Sequence, residues 1–193
     1  MKRVLFPFLF VMSSFAGNSQ LTKEQDSIKQ VYLDFLNFFK KNKEKFYSFN
    51  LYKGLGKNGG PPYEIQWKEV DRYFEWLKTN VPYVGEEYIK NEQWYFKYAD
   101  SCLKSDFKND ISAYFGFDRW AYLQEDVSDT LKWYFNLNTK YEVEVSDDKA
   151  MIRIESPGIW EKEHGCIQGL LLVPFIKEKN KWKIANNDYI ICN

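Results

Sequence analysis

The stretch YEVEVSDDKAMIRIE at 141–155 decides the fold class, because apolar and polar side chains alternate on both sides of its polar centre. A two-residue period is typical of β-strands with one buried face. Closing a turn over residues 146–149 gives the apolar pairs Val145–Ala150, Val143–Ile152 and Tyr141–Ile154. The same register places Glu142 opposite Arg153 on the other face, a favourable cross-strand charge pair. The sequence therefore predicts an antiparallel hairpin.

A second hairpin follows toward the C-terminus. Residues 169–176 form a continuous apolar run, residues 177–181 supply a polar turn, and a return strand begins at 182–184. A run that is apolar on both faces predicts a central strand with cover on each side.

The cysteines allow one disulfide in this arrangement. If the return strand continues to 190–191, it brings Cys192 back near Cys166. The Cys166–Cys192 pairing stays open, because a bulge at 186–188 would alter its geometry. Cys102 would then be the odd cysteine, either buried or available to a partner.

Three helices are predicted upstream of the strands, at about 22–47, 63–79 and 86–104. Thr22 and Gln25 have the spacing of a capping box at the start of the first helix. Its apolar stripe is Ile28, Val31, Tyr32, Phe35, Leu36 and Phe39, and that of the third helix is Ile89, Phe96, Ala99 and Leu103. Helices followed by antiparallel hairpins predict an α+β fold, in which the N-terminal helices pack on a curved C-terminal sheet.

The segment NLYKGLGKNGGPP at 50–62 interrupts the helical pattern. Glycine-rich segments can hold phosphates, but a P-loop requires Ser or Thr after its lysine and a strand before it. Here Asn58 follows Lys57, and a predicted helix comes before. A mobile surface loop is the better prediction, and we expect no cofactor.

The first residues are typical of a secretory signal peptide. Lys2 and Arg3 precede an apolar run at 4–15, and Ser14-Phe15-Ala16 offers a small-x-small cleavage site. A helix of that length covers about 18 Å, well short of a bilayer core of roughly 30 Å. We therefore expect residues 1–19 to be removed, residues 20–193 to form one domain, and the mature chain to be secreted or periplasmic without membrane insertion.

The charge balance bears on the partner. The chain has 27 basic and 27 acidic residues, so it lacks the basic excess of nucleic-acid-binding proteins. Aromatic residues make up 19% of the chain, including 7 Trp and 14 Tyr. Such side chains suit interfaces and sugar faces, although an aromatic-rich core explains them as well. A small molecule, a glycan or a protein all remain possible partners.

Three stretches resemble the cystatin-like, nuclear-transport-factor-2-like superfamily, and in particular a family of small secreted bacterial proteins of unknown function. They are SIKQVYLDFLNFF at 27–39, FDRWAYLQED at 117–126 and VPFIKEKNKWKI at 173–184. The resemblance implies a sheet that curves into a cone with a ligand pocket at its mouth. It supplies no catalytic residues.

Aromatic residues are interleaved with acids in the segment 105–130, without a clear period. Given the implied pocket, Trp120, Tyr122 and Asp118 are the predicted rim residues. His164 is the only histidine and lies between a glutamate and a glycine; a solvated loop position is its expected place. No metal site and no catalytic set is predicted.

Three functions fit these observations. The first is a secreted, non-enzymatic binding domain with an aromatic-lined concavity. The second is a periplasmic inhibitor or immunity-type protein that binds a toxin or hydrolase. The third is a small enzyme of the isomerase or dehydratase type, which would require a buried acid or histidine beside a tyrosine.

Overall fold

The computed structural model describes residues 21–105, 111–115, 120, 131–132, 134–155, 170–186 and 188–190. Its helices are α1 (Lys23–Phe46), α2 (Trp67–Asn80), α3 (Glu86–Ser105) and the short α4 (Ser112–Phe115). Its strands are β1 (Tyr52–Gly54), β2 (Tyr63–Ile65), β3 (Tyr141–Ser146), β4 (Lys149–Glu155), β5 (Leu170–Glu178), β6 (Lys181–Ile184) and β7 (Asp188–Ile190). The fold is α+β, as the sequence predicts. The predicted leader, residues 1–19, lies outside the described residues.

The start of α1 is the predicted capping box. Thr22 Oγ1 accepts from the Gln25 backbone at 3.3 Å, and Gln25 Oε1 accepts from the Thr22 backbone at 2.8 Å. Gln25 Nε2 also donates to the Val143 carbonyl at 2.6 Å. One side chain therefore caps α1 and joins it to β3.

The larger sheet is antiparallel in the order β3-β4-β5-β6, and β7 also pairs with β5. The apolar run is thus a central strand, between β4 on one side and β6 and β7 on the other. The first hairpin has the predicted register throughout, from Tyr141 opposite Ile154 to Val145 opposite Ala150. On β5 one face is buried (Leu171, Val173, Phe175) and the other is half-buried (Leu172, Pro174, Ile176).

The return strand is interrupted near the predicted bulge. Phe175 lies opposite Ile184, whereas Leu172 lies opposite Asp188. The return side therefore has one residue more than β5 between these two pairings, which is the definition of a bulge. The turn between β5 and β6 is Lys179-Asn180, with φ values of 50° and 62°. Two consecutive positive φ angles are typical of the type I′ hairpin turn.

Arg153 pairs with a different glutamate from the one that the sequence predicts. Glu142 lies opposite Arg153 as predicted, but the guanidinium contacts Glu144 at 3.0 Å. Glu142 and Glu144 share a face of β3, so a long side chain on β4 reaches either of them.

The glycine-rich segment forms a two-stranded hairpin where the sequence predicts a loop, and its mobility stays a prediction. Tyr52 pairs with Ile65 and Gly54 with Tyr63, and a 3₁₀ turn at Lys57–Gly59 forms the tip. The second helix accordingly begins at Trp67 rather than near residue 63. Close backbone contact holds the tip together: a Cβ at Gly54 would lie 1.8 Å from the Gly59 carbonyl oxygen.

The connection between α2 and α3 attaches the helices to the sheet edge. The Ile184 backbone donates to the Tyr83 carbonyl at 2.9 Å, and the Gly85 backbone donates to the Ile184 carbonyl at 3.0 Å. Glu178 Oε1 accepts from the Glu86 backbone at 2.9 Å. A carboxylate at a helix N-terminus is stabilising, so β5 supplies the first turn of α3 with an acceptor.

Candidate binding surface

Trp120, a predicted rim residue, lies inside the aromatic core. It is only 5% exposed. Its ring stacks on Tyr88 at 5.3 Å between centroids and contacts Phe46 at 4.9 Å, Phe35 at 5.8 Å and Tyr73 at 6.2 Å. These neighbours come from α1, α2 and α3, so Trp120 joins three helices. Its burial agrees with the alternative of an aromatic-rich core.

The other predicted site residues lie outside the described residues; they are Tyr122 and Asp118 of the rim and Cys166 and Cys192 of the disulfide. His164, expected in a solvated loop, lies outside them as well. The predicted rim and the predicted disulfide therefore stay predictions.

The interior around Trp120 is filled by further aromatic rings. Phe39 and Phe46 meet edge to face at 5.0 Å, and Phe74 and Phe96 do so at 5.7 Å. Edge-to-face contacts of this kind add to the energy of area burial. The buried aromatic side chains of the described residues are Tyr32, Phe35, Phe39, Phe46, Tyr73, Phe74, Tyr88, Phe96, Trp120, Tyr134, Phe175 and Trp182.

One cavity of about 300 Å³ lies on the sheet face that points away from α1. Met151, Pro174 and Ile176 give it an apolar floor, and Glu87 and Glu144 stand among its lining residues. Glu144 is already paired with Arg153 at 3.0 Å. The cavity is thus an apolar groove with a partly neutralised rim.

A second cavity, of about 330 Å³, lies between α1 and the β5–β6 hairpin. Lys183 Nζ in its wall donates to the Pro82 carbonyl. Burial lowers the pKa of Lys183, and the nearby Glu178 carboxylate opposes part of that change. The lysine is therefore used in holding the α2–α3 connection.

Among the residues that the structure describes, the most exposed aromatic side chain lies on α3. Trp94 is 66% exposed and Tyr98 is 49% exposed. Their rings are parallel within 6°, with centroids 5.6 Å apart. We call these two residues the α3 aromatic stack. Four-residue spacing on a helix brings such side chains together on one face.

Half-buried aromatic residues support the α3 aromatic stack at one end. The Tyr98 ring meets Tyr114 edge to face at 6.4 Å, and Tyr95 Oη donates to the Tyr114 carbonyl at 2.6 Å. Burial raises the pKa of Tyr114, and a hydrogen bond with the Cys102 side chain raises it further. Tyr114 therefore contacts the stack at its Tyr98 end.

Sequence reasoning missed this surface, although the signal was present. Ile89, Phe96, Ala99 and Leu103 are all buried, as their spacing predicts. At about 100° per residue, Trp94 lies roughly opposite the centre of that stripe. A large apolar side chain opposite the buried face of a helix is the informative exception.

Among the described residues, no group of three or more His, Cys, Asp or Glu side chains is placed to hold a metal ion. Within the same part of the chain, no helix has the length and apolar content to cross a membrane. Comparison of the chain with protein-family models, with curated proteins and with solved structures gives no match.

Proposed function

We propose that this protein is a secreted, non-enzymatic binding domain that holds its ligand on the α3 aromatic stack. The observation that carries the proposal is the 66% exposure of Trp94 on a well-packed helix. Fully burying a large apolar side chain is worth about 1.5–3 kcal/mol. A partner that covers Trp94 gains much of this free energy, because most of the Trp94 side chain is still in water in the folded protein.

The interior gives less support to the concavity predicted from the sequence. Trp120 and its neighbours fill the space among α1, α2 and α3 with their own rings. Binding is therefore proposed for the outer surface. The same packing favours a protein partner as the second candidate, in line with an inhibitor or immunity-type role.

Catalysis of the isomerase or dehydratase type would require a carboxylate that faces a cavity. Glu92 is the one charged side chain that is buried within the described part of the chain, at 2% exposure. It lies on α3 between Tyr88 and Phe96 and lines neither of the two cavities. This position supports a structural role for Glu92.

The proposal places the mature protein outside the cytoplasm. Lys2, Arg3 and the apolar run at 4–15 support export, with cleavage near residue 19. N-terminal sequencing of the protein recovered from periplasm and medium tests this. A mature chain beginning near residue 20 is expected, and an intact Met1 in those fractions would contradict it.

We also propose the cystatin-like, nuclear-transport-factor-2-like cone as the finer architecture. Helices that precede an antiparallel sheet, and a long α1 linked to β3 through Gln25 Nε2, support it. A crystal structure would test it through the curvature of the sheet around α1. A flat sheet would contradict the proposal.

Retention on immobilised protein tests the binding proposal. Periplasmic extract and culture medium of the native host are divided into polysaccharide, protein and small-molecule fractions and passed over wild type, Trp94→Ala and Tyr47→Ala. Tyr47 is 49% exposed, like Tyr98, and lies at the C-terminal end of α1. We expect wild type and Tyr47→Ala to retain a component that Trp94→Ala releases. Equal retention by all three proteins would contradict the proposal.

A further inference from the structure

We infer that the ligand of the α3 aromatic stack is a glycan, with the C–H face of a pyranose ring lying on Trp94. The inference rests on the proposed binding function and names its ligand class. The axial C–H groups of a pyranose form a flat apolar face that matches an aromatic ring. The hydroxyl groups at the sugar edge need polar partners beside that ring.

The residues around the stack provide this combination. The exposed residues of α3 are Glu86, Lys90, Trp94, Lys97, Tyr98, Ser101, Lys104 and Ser105. Apart from the two aromatic residues, all of them are polar, and no exposed residue of α3 is aliphatic. Lys97 and Ser101 lie three residues after Trp94 and Tyr98 respectively, which places each polar group beside a ring. An ammonium and a hydroxyl are suitable partners for sugar oxygens.

The size of the surface favours a sugar over a protein. A Trp or Tyr side chain has about 150–250 Å² of surface. With exposures of 66% and 49%, the stack presents on the order of 200–250 Å². A stable protein interface buries about 800 Å² per partner, of which about 450 Å² is non-polar. One or two sugar rings need only the smaller area.

The charges near the stack are largely paired. Lys90 contacts Glu87 at 3.6 Å, and Lys104 contacts Asp100 at 2.7 Å. Lys97, beside Trp94, is exposed and supplies the local positive charge. This balance fits a polar ligand that is neutral or carries a few carboxylates, as neutral and uronic-acid glycans do. It offers little to a strongly charged peptide.

Affinity electrophoresis and co-sedimentation test the inference with defined probes. Native gels contain a neutral β-glucan, a xylan or alginate, and purified peptidoglycan sacculi serve for co-sedimentation. The proteins are wild type, Trp94→Ala, Tyr98→Ala, Trp94→Phe and the matched control Tyr47→Ala. Circular dichroism checks that each variant is folded.

We expect wild type and Tyr47→Ala to bind at least one of the four probes equally well. Trp94→Ala and Tyr98→Ala should each weaken that binding about tenfold or more, the scale of other stacking contacts on aromatic rings. Trp94→Phe keeps a ring and should recover part of the affinity. The inference would be overturned if wild type bound none of the four probes. It would also be overturned if Trp94→Ala bound as well as wild type.

The two proposals fail in different ways. Suppose that wild type retains a protein or small molecule that Trp94→Ala does not retain, and that wild type binds none of the four probes. The glycan inference is then overturned, and the binding function stands. Retention that is indifferent to Trp94 overturns both.

Discussion

At the scale of single residues, Gln25 shows how one side chain can serve two levels of structure. Its amide oxygen closes the capping box, and its amide nitrogen donates to the Val143 carbonyl at 2.6 Å. The capping box was predictable, because it depends on residues three apart. The bond to β3 was not, because it joins residues that are distant along the chain.

Replacing Gln25 with glutamate separates the two roles. Glutamate is also a capping-box residue, so the cap of α1 should remain. The carboxylate cannot donate to Val143, and it brings a negative charge to a carbonyl oxygen. We expect Gln25→Glu to lower the free energy of unfolding by about 1–3 kcal/mol, measured by urea denaturation. Thr22→Ser keeps both the cap and the Gln25–Val143 hydrogen bond, so it should change the free energy of unfolding little. A Gln25→Glu protein as stable as wild type would contradict the role of this hydrogen bond.

At the scale of elements, the β1–β2 hairpin depends on the absence of a side chain where Gly54 meets the backbone of Gly59. A Cβ at Gly54 would meet the Gly59 carbonyl oxygen at 1.8 Å, while one at Gly60 would meet the Lys57 carbonyl oxygen at 3.3 Å. The first contact requires the backbone to separate, and the second requires only a small shift.

We therefore expect Gly54→Ala to destabilise the protein by about 1–3 kcal/mol, as overpacking does elsewhere. Gly60→Ala is the matched control and should cost less than about 1 kcal/mol. Thermal and urea unfolding of both variants provide the measurement. If Gly54→Ala and Gly60→Ala lost similar free energies of unfolding, crowding against the Gly59 carbonyl would not be the cause.

Strand β3 contains a tyrosine whose ionisation is linked to stability. Tyr141 Oη donates to the Tyr134 carbonyl at 2.5 Å, and burial raises the pKa of Tyr141 above its ordinary value. A folded-state pKa above the unfolded value of about 10 means that the native state holds its phenolic proton more tightly. The resulting stabilisation is fully present below about pH 10 and is lost as the pH rises further.

Tyr141→Phe should reveal this contribution. At neutral pH the variant loses one hydrogen bond, worth about 1 kcal/mol. Above about pH 10 the stability of wild type should fall more steeply than that of Tyr141→Phe, so the two curves converge. Urea unfolding between neutral and strongly alkaline pH measures both. Parallel curves over the whole range would contradict the linkage.

At the scale of the whole molecule, Trp120 and Trp94 represent opposite uses of the same residue type. Trp120 is 5% exposed among rings from three helices, and Trp94 is 66% exposed on one of them. The first should matter for folding and the second for binding.

We expect Trp120→Ala to lower the free energy of unfolding by about 3–5 kcal/mol, the usual cost of a large cavity. Trp94→Ala removes a largely exposed ring and its contact with Tyr98, and it should cost less than about 1.5 kcal/mol. Urea denaturation compares the two, and Trp120→Phe keeps the protein measurable if the alanine variant does not fold. Equal losses for Trp120→Ala and Trp94→Ala would contradict the placement of Trp120 in the core.

The sequence by itself determined the features that depend on neighbours along the chain. The capping box at Thr22, the stripes of α1 and α3 and the register of the Tyr141–Glu155 hairpin all follow from local spacing. The central position of β5 followed from a run that is apolar on both faces. Such patterns can be recognised in a sequence because helices and strands have fixed periods of 3.6 and 2 residues.

Only the tertiary structure decided the features that depend on distant contacts. Trp120 is a core residue because α1, α2 and α3 converge on it, and nothing in its local sequence indicates that convergence. Arg153 pairs with Glu144 because two acids share the opposite face and side-chain reach selects between them. The glycine-rich segment closes into a hairpin because carbonyl groups of residues 59–61 fit where Gly54 and Gly56 carry no Cβ. The spacing of α3 already places Trp94 opposite the buried stripe, and the tertiary structure adds its parallel contact with Tyr98.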